Sequence, residues 1–563
     1  MNIVGIDLGT TNSLVSIWQE DGPIIIPNVF GKNLTPSVIS IDENNEVLVG
    51  EVAKERLITK PERTVSCFKR MMGTDKIYQL GEHSFRPEEL SAYVLKSLKE
   101  DAEVYLGKEV TRAVISVPAY FNDKQRNATK KAAELAGFIV ERLINEPTAA
   151  AIAFGLADPE QESKFMVLDL GGGTFDVSIL EMFDGIMEVH AIAGDNYLGG
   201  EDFTNVLITY FMDKKGLSLQ NLTLEEQSIF YKQAEQEKYA LSQKKAARLH
   251  MVYHEKELEL EVSPAEYEVL CMPLLNRFLR PIERAMRDTS FSKENLDNVI
   301  LIGGATRSPY IRNYVSKMFG KLPYVNINPD ETVALGAAIQ AAMKERKEAL
   351  KEIVLTDVCP FSLGVETVKV DKLAEMTAGH FCPIIERNTT IPVSRVERFQ
   401  TVQDNQSALN FKIFQGESRL TDSNLKLGEM VVKIPKHDAG VEMVDVRFTY
   451  DINGILEVEA TICSTGITKR IIIQQNPGEL TMDEIDRQLT SLKGLKLHPR
   501  DKMENKLLLE RGNRMYEEAL GELRNYLGNI LSNFERVLET QNDYEIRKEA
   551  KRLLEILNNI DGV

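Results

Sequence analysis

The residues best suited to chemistry lie in the stretch FMVLDLGGGTFD at positions 165–176. Its first four residues are apolar and are typical of a buried strand. Asp169, three glycines, Thr174 and a second carboxylate, Asp176, follow. Glycines directly after a strand allow positive φ angles and bring backbone N–H groups against an anion. Two carboxylates would repel a phosphate unless a hard divalent cation such as Mg²⁺ lay between them. For this stretch alone, a tight hairpin that binds no ligand is an equally good interpretation.

The same pattern occurs near the N-terminus, about 160 residues earlier in the chain. The matching segments are Asp7-Leu8-Gly9 with Asp169-Leu170-Gly171, Val15-Ser16-Ile17 with Val177-Ser178-Ile179, and the hairpin signals Asp21-Gly22 with Asp184-Gly185. Such a duplication predicts two related half-domains that face each other across a cleft. The cleft is expected to hold a nucleotide, with a metal ion at its base.

Other segments are predicted to position these turns. Residues 114–117 form an apolar strand that Pro118 ends, and a helix is predicted over 122–137. Two segments combine an acidic, proline-marked helix start with small residues, at 145–153 and 328–338. Their alanines favour close contact between helices across the cleft. Two unrelated alanine-rich helices are the alternative interpretation.

The composition limits the classes of function. The chain has 563 residues, which is enough for several domains, and 43% of them are hydrophobic. No apolar run approaches the ~18 residues of a membrane helix, and there is no secretory signal. The five cysteines are scattered without a CxxC pair, which favours a reducing cytoplasm. A net charge of −18 argues against nucleic acid and membrane partners. We therefore expect a cytoplasmic protein with neither partner.

The pattern changes after Lys344. An apolar run at 353–357, with no structure of its own expected, leads to residues 358–478, where apolar positions alternate as in a β-sandwich. From Thr481 onward the chain is charged and helical in pattern.

These motifs together resemble the heat shock protein 70 (DnaK-type) chaperone family over nearly the whole chain, and are most like the HscC type of bacterial member. The strings that carry the resemblance are IDLGTTNS, VISVPAYFND, INEPTAAA, DLGGGTFD, AGDNYLGGEDF, IGGATR, NPDETVALGAA and DNQSA. The resemblance implies a multidomain protein. Its parts would be an α/β actin-like ATPase domain with two duplicated lobes (1–350), an interdomain linker (351–357), a β-sandwich substrate-binding domain (358–478) and a short α-helical lid (479–563).

The implied activity is that of an ATP-dependent chaperone, which binds extended apolar segments of unfolded proteins with an affinity switched by ATP hydrolysis. The resemblance implies Asp7, Lys69, Glu146, Asp169 and Thr174 as the catalytic residues. The three carboxylates among them would hold Mg²⁺, largely through waters. Lys69 would orient the attacking water. Without this context, Lys69 and its neighbour Arg70 would be a solvated basic pair at a helix end.

The remaining implied site residues fall into three groups. The nucleotide-binding residues are Gly9, Thr10, Thr11, Asn12, Gly171, Gly172, Gly173, Thr174, Gly199, Gly200, Glu201, Glu235, Lys238, Ser242, Gly303, Gly304, Arg307 and Asp330. The peptide-binding residues are Phe381, Val402, Leu409 and Phe411, for which ordinary inward strand positions are the alternative. The residues of interdomain coupling are Pro118, Arg126, Arg142, Ile353, Val354, Leu355 and Asp357.

The implied cofactors are ATP or ADP and Mg²⁺, with K⁺ as a further candidate ion. A J-domain co-chaperone is an expected partner. The segment between Gly216 and Leu270 is shorter than in typical members, where exchange factors bind, so the need for an exchange factor is left open. The helical tail is also short and lacks a terminal Glu-Glu-Val-Asp, which puts a full lid in doubt.

Two other classes share the actin-like duplication, namely sugar or acetate kinases and filament-forming proteins. Neither class explains an apolar linker followed by a β-sandwich and a charged helical tail. Phosphorylation of a small alcohol, or polymerisation driven by nucleotide, would favour them instead.

Overall fold

The computed structural model describes residues 3–20, 22–155, 162–183, 186–254, 256–289, 291–324, 328–345, 354–370, 376–452, 454–473, 492, 496 and 498–561. The chain divides into two compact units. The first comprises Met1–Phe361 with Arg387–Thr390, and the second comprises Ser362–Glu386 with Ile391–Val563. Among the described residues, no helix is long and apolar enough to cross a membrane.

The first unit combines two large sheets with helices. Its strands are β1 (Ile3–Asp7), β2 (Asn12–Gln19), β3 (Gly22–Ile26), β4 (Thr35–Pro36), β5 (Val38–Ile41), β6 (Val47–Val49), β7 (Thr64–Ser66), β8 (Tyr78–Leu80), β9 (His83–Phe85), β10 (Arg112–Val117), β11 (Ile139–Asn145), β12 (Ser163–Leu170), β13 (Phe175–Phe183), β14 (Ile186–Asp195), β15 (Ala247–Tyr253), β16 (Lys256–Val262), β17 (Asn298–Ile302) and β18 (Val354–Val358). Its helices are α1 (Glu51–Thr59), α2 (Pro87–Leu106), α3 (Asp123–Leu135), α4 (Glu146–Gly155), α5 (Gly200–Lys215), α6 (Leu224–Ala240), α7 (Pro264–Arg287), α8 (Pro309–Phe319) and α9 (Thr332–Lys344).

The two sheets repeat one topology. The first has the order β11-β10-β1-β2-β3, and the second has the order β17-β12-β13-β14-β18. In each sheet, a strand that leads into the glycine turn pairs antiparallel with the strand after the turn, as β1 does with β2 and β12 with β13. The same strand pairs in parallel with a later strand, β10 or β17. The predicted duplication is therefore confirmed. We call residues 3–145 the first lobe and residues 162–324 the second lobe.

Strand β12 shows why the strands that lead into the glycine turns are continuous apolar runs in the sequence. Met166 and Leu168 contact one hydrophobic cluster, and Phe165 and Val167 contact another on the opposite face of the sheet. All four side chains are fully buried. Because both faces are covered, alternation with polar residues is absent.

Helices α4 and α9 connect the two sheets. They pack on each other, and α9 also packs on β1 and β2 while α4 packs on β12 and β13. The helices approach so closely that a Cβ atom at Gly336 would lie 1.8 Å from the carbonyl oxygen of Ala149. The prediction that small residues permit this contact is confirmed.

The apolar run after the first unit's last helix differs from the expectation. We expected no structure of its own, but Val354–Val358 forms strand β18, which pairs in parallel with β14. The edge of β14 offers unpaired backbone groups that an extended segment can satisfy. Ile353 lies outside the described residues.

The described residues of the second unit form two four-stranded antiparallel sheets and three α-helices. The strands that follow β18 are β19 (Leu363–Val370), β20 (Met376–Ile385), β21 (Thr390–Ile391), β22 (Val393–Gln400), β23 (Ala408–Gln415), β24 (Leu425–Lys433), β25 (Met443–Tyr450), β26 (Leu456–Ile462) and β27 (Thr468–Ile473). The two sheets have the orders β20-β19-β23-β24 and β22-β25-β26-β27. The helices are α10 (Met503–Glu518), α11 (Gly521–Glu539) and α12 (Asp543–Asp561). They share a core that includes Leu527, Phe534 and Leu557. The predicted helix start at Thr481 lies outside the described residues.

Candidate active site

A cavity of about 380 Å³ lies between the glycine turns of the two lobes. The predicted residues that line it are Asp7, Gly9, Thr10, Thr11, Asn12, Lys69, Glu146, Asp169, Gly171, Gly172, Thr174, Gly200, Glu201, Glu235, Lys238, Ser242, Gly303, Gly304, Arg307 and Asp330. Gly173 and Gly199 do not line it but lie directly behind its wall, where Cβ atoms would meet Thr10 and Gly172. The structure thus brings together residues from both copies of the repeat.

The base of the cavity contains a buried ion pair. Lys69 lies in a short 3-10 helix, Phe68–Met71, and Glu146 is the first residue of α4. Lys69 Nζ donates to Glu146 Oε1 over 2.7 Å, and the two side chains are only 3% and 9% exposed. The alternative of a solvated basic pair is therefore wrong for Lys69. A buried ion pair of this kind holds its lysine in a defined position.

Further carboxylates surround this pair at the strand ends. Burial, followed by repulsion from Glu146, raises the pKa of Asp7 to about 7. The hydroxyl of Ser116 donates to Asp7 Oδ1 over 2.7 Å and opposes that shift. Burial raises the pKa of Asp169 well above its usual range, with repulsion from Glu146 as the next cause. The site therefore concentrates more negative charge than its lysine can balance.

Asp176, the second carboxylate of the motif at 165–176, lies behind the wall of the cavity. It does not line the cavity, and it is paired across the hairpin with Asp169. The backbone N–H of Tyr120 donates to Asp176 Oδ1 over 3.0 Å. Its Oδ2 atom is buried and has no hydrogen-bond partner among the described residues. Burial and the charge of Glu146 raise the pKa of Asp176 to about 8.

The donor set fits a hard cation. Asp7, Glu146 and Asp169 offer only oxygen atoms, and their mutual repulsion would be relieved by a divalent ion. Asp176, whose Oδ2 atom has no hydrogen-bond partner among the described residues, belongs to the same cluster, because its charge also raises the pKa of Asp169. Mg²⁺ is the cation that such oxygen sites combine with phosphates.

The predicted positive φ angles are not found in the glycine turn of the second lobe. Gly171, Gly172 and Gly173 all have ordinary φ angles, so positive φ is not what requires glycine there. A Cβ atom on Gly172 would lie 1.9 Å from Thr11 Oγ1. One on Gly173 would lie 2.7 Å from Thr10 Cγ2. The glycines therefore allow the turn of the second lobe to touch the turn of the first.

The far end of the cavity is built by the second lobe. Lys238 Nζ donates to the carbonyl oxygen of Gly200 over 2.9 Å and to Thr204 Oγ1 over 2.7 Å. Arg307 Nε donates to Asp330 Oδ2 over 3.0 Å. Hydrogen bonds thus hold both Lys238 and Arg307 in place at this end of the cavity.

Several lining residues were missed by the sequence analysis. They are mainly apolar and aromatic: Leu14, Leu34, Phe203, Tyr239, Tyr267, Tyr310, Ile311 and Val333. Apart from Phe203 and Val333, these residues lie outside the quoted motifs, and only the fold reveals which of them face the cavity.

The predicted coupling residues form a chain of contacts. Arg126 Nη2 donates to Asn145 Oδ1 over 2.6 Å, and Asn145 Nδ2 donates to Asp357 Oδ2 over 3.1 Å. Arg142 Nη1 donates to Gln340 Oε1 over 3.1 Å. Burial raises the pKa of Asp357, and the positive charge of Arg142 opposes that increase. Pro118 accepts the backbone N–H of Phe121. The end of β18 is thereby attached to the end of β11.

The four predicted peptide-binding residues lie in the second unit. Leu409 and Phe411 are two residues apart on β23 and therefore share a face. Phe411 is only 4% exposed, and its ring lies 5.7 Å from that of Phe399. Phe381 lies on β20, and Val402 lies in the loop after β22. Both are half-buried.

Comparison with known proteins decides the family. A sequence profile described as Hsp70 protein matches residues 3–79 and 76–561. The chain belongs to the Hsp70 family. Relatives called Chaperone protein DnaK, from Thermotoga petrophila, Thermotoga sp. (strain RQ2) and Thermotoga maritima, are each 40% identical to it over 568 residues. These matches cover 98% of this chain and 91% of each relative.

The family predicted from the motifs is thereby confirmed. Hsp70 proteins are ATP-hydrolysing chaperones for unfolded polypeptides, so the predicted ATP-dependent chaperone activity is confirmed. The two alternatives, a sugar or acetate kinase and a filament-forming protein, are not favoured. The HscC type stays a prediction.

The raised pKa values predict how stability depends on pH. An acid whose pKa is raised on folding loses its proton at a lower pH in the unfolded state than in the folded state. Raising the pH from about 4 to about 8 therefore stabilises the unfolded state relative to the folded state, and the free energy of unfolding falls. For the nucleotide-free protein, each of Asp7 and Asp176 should lower the free energy of unfolding by about 1.4 kcal/mol per pH unit between about pH 5 and pH 7. Urea unfolding followed by fluorescence of Trp18, the single tryptophan, measures this.

Asp176→Asn retains the acceptor for the Tyr120 N–H and removes one titrating group, so its slope should be shallower than that of the parent. The exposed residue Asp75 provides the control, since Asp75→Asn should keep the parent's slope. Equal slopes in parent and Asp176→Asn would contradict the assignment.

Proposed function

We propose that this Hsp70 chain binds ATP in the cavity between its lobes and uses hydrolysis to control the binding of apolar peptide segments. The observation that carries the proposal is the buried Lys69–Glu146 pair, which lies among further carboxylates where the two glycine turns meet. Such a site positions a phosphate chain and compensates its charge, which is what hydrolysis of a nucleoside triphosphate requires.

The proposed placement of the nucleotide follows from the lining. The phosphates would lie along the turns at residues 9–12 and 171–174, where backbone N–H groups and hydroxyls are available. The adenosine would lie between α6 and the Gly304–Arg307 helix, near Glu235, Lys238 and Ser242. Gly199-Gly200-Glu201 would contact the phosphates and ribose.

The carboxylates of Asp7, Glu146 and Asp169 would hold Mg²⁺, largely through waters. A bound Mg²⁺ would offset the charge that develops on the phosphate oxygens. Lys69 is held by Glu146 and would orient the attacking water, and Thr174 would help to align the terminal phosphate. K⁺ stays a prediction from the resemblance.

We propose the domain division 1–350, 351–357, 358–478 and 479–563. Support for it comes from the duplicated lobes, which suit an actin-like ATPase domain, and from the two antiparallel sheets and three helices of the second unit, which suit a β-sandwich and a lid. The peptide would bind on the sandwich, with Phe381 and Val402 over it and Leu409 and Phe411 beneath.

The linker residues and the contacts of Arg142, Arg126 and Asp357 would transmit the nucleotide state. A J-domain co-chaperone would act near Arg142. The need for an exchange factor and the cytoplasmic location stay predictions from the sequence.

Replacement of the buried lysine tests the catalytic assignment. Lys69→Ala should slow single-turnover hydrolysis about a hundredfold, because a preorganised charge at the reacting phosphate is lost. Asp169→Asn should weaken hydrolysis strongly, because it removes a charge facing the cation. Rapid quench at saturating ATP measures both rates, and binding of labelled ATP should persist in Lys69→Ala. The exposed Lys108 provides a control through Lys108→Ala. A parental rate in Lys69→Ala would remove this residue from the mechanism.

Replacement in the second unit tests the peptide site. Leu409→Trp should fill the proposed pocket and abolish binding of an extended apolar peptide, measured by fluorescence anisotropy. Val431 is exposed on the neighbouring strand β24, so Val431→Trp should bind peptide like the parent. If the folded Leu409→Trp protein keeps its affinity for peptide, the peptide site lies elsewhere.

A further inference from the structure

An ion pair connects the two lobes beside the cavity. Arg70 belongs to the 3-10 helix of the first lobe that also carries Lys69, and Asp202 lies in the first turn of α5 in the second lobe. Arg70 Nη2 donates to Asp202 Oδ2 over 2.8 Å. The two side chains are 16% and 21% exposed, so solvent and salt screen the pair less than a surface ion pair. A contact of this kind opposes separation of the lobes.

A second contact joins the same two elements. The thiol of Cys67, at the start of that 3-10 helix, interacts with the carboxylate of Glu201, the neighbour of Asp202. Burial, followed by the charge of Glu201, raises the pKa of Cys67, so the thiol stays protonated and can donate. Glu201 also accepts the hydroxyl of Tyr231. The first-lobe helix therefore contacts two successive residues of α5.

The ion pair contacts two segments of the second lobe, the glycine turn at 171–174 and Gly199 at the start of α5. Asp202 Oδ2 also accepts the backbone N–H of Gly199 over 2.8 Å. The aliphatic part of Arg70 packs over Gly173, where a Cβ atom would lie 2.8 Å from Arg70 Cγ. Arg70 Nε is buried and has no hydrogen-bond partner among the described residues. Opening of the cleft would separate Arg70 from the turn at Gly173 and from Asp202 at the same time.

We propose that the Arg70–Asp202 ion pair is a latch that keeps the lobes closed over bound nucleotide and limits the rate of nucleotide release. This inference rests on the proposed function, in which the cavity holds ATP or ADP. Arg70 is a positioning residue, because it acts through the closure of the lobes and through the turn at Gly173. Neither Arg70 nor Asp202 lines the cavity.

The test uses substitutions that remove charge and little else. Arg70→Met retains an unbranched apolar side chain over Gly173, and Asp202→Asn retains an oxygen that can accept the Gly199 N–H. In the full chain, dissociation of fluorescently labelled ADP is followed after mixing with excess unlabelled ADP. Each substitution should speed release about tenfold, equivalent to about 1.4 kcal/mol. The double variant should release ADP no faster than either single variant, because both remove the same interaction.

Two controls separate a latch from a general loss of structure. Arg112→Met breaks the Arg112–Glu141 pair, whose atoms are 2.6 Å apart within the first lobe, and should leave ADP release unchanged. Single-turnover hydrolysis of prebound ATP should change less than about twofold in Arg70→Met, since the latch acts on release rather than on the reacting phosphate.

The outcomes distinguish the latch from the proposed function. If the parent does not bind labelled ADP, the proposed function fails. If the parent binds ADP and both single variants release it at the parental rate, the latch is wrong. Strictly additive effects in the double variant would also overturn it, because Arg70 and Asp202 would then act separately.

Discussion

Mutual repulsion among buried carboxylates is the constraint on which the rest of this structure depends. Asp7 and Asp169 end equivalent strands of two different sheets, and Glu146 begins the helix between them. In a medium of low dielectric, these groups remain together only if the fold holds them there and if cations compensate their charge. Lys69 supplies one such charge from within the chain. Burial, followed by repulsion from Glu146, raises the pKa values of both aspartates, so a divalent ion bound beside them would favour their ionised forms and, with them, a site for a phosphate chain.

The duplication explains how one cleft can both hold a nucleotide and respond to it. Each lobe contributes one glycine turn, and the turns touch because Gly172 and Gly173 leave room for Thr11 and Thr10. Helices α4 and α9 connect the sheets through a contact that only small residues permit. Any change in the separation of the turns must therefore also move the lobes. Strand β18 extends the second sheet, so the segment that leads toward the second unit belongs to the sheet of the second lobe.

Much of this arrangement could be predicted from the sequence, because it depends on local patterns. The apolar run of β12, the helix α3 with Asn122 at its start, and the repeated turns were all visible as short motifs. The contacts that were missed join residues far apart in the chain. Lys69 and Glu146 are 77 positions apart, and Arg70 and Asp202 are 132 apart, so no local pattern indicates their burial or pairing. The expectation of positive φ angles at these glycines was wrong for the same reason, since the atoms that Gly172 and Gly173 accommodate belong to the other turn.

We propose that the nucleotide state reaches the peptide site through β18. The most direct measurement is the rate of peptide release, with and without ATP, from the parent and from a variant carrying Val354→Asp and Leu355→Asp. Two charges in this strand should disfavour its pairing with β14, while binding of labelled ATP and of peptide should each persist. The account predicts that ATP accelerates release from the parent and leaves release from the variant unchanged, since coupling between two sites requires a shared two-state element. Equal acceleration by ATP in the two proteins would contradict it.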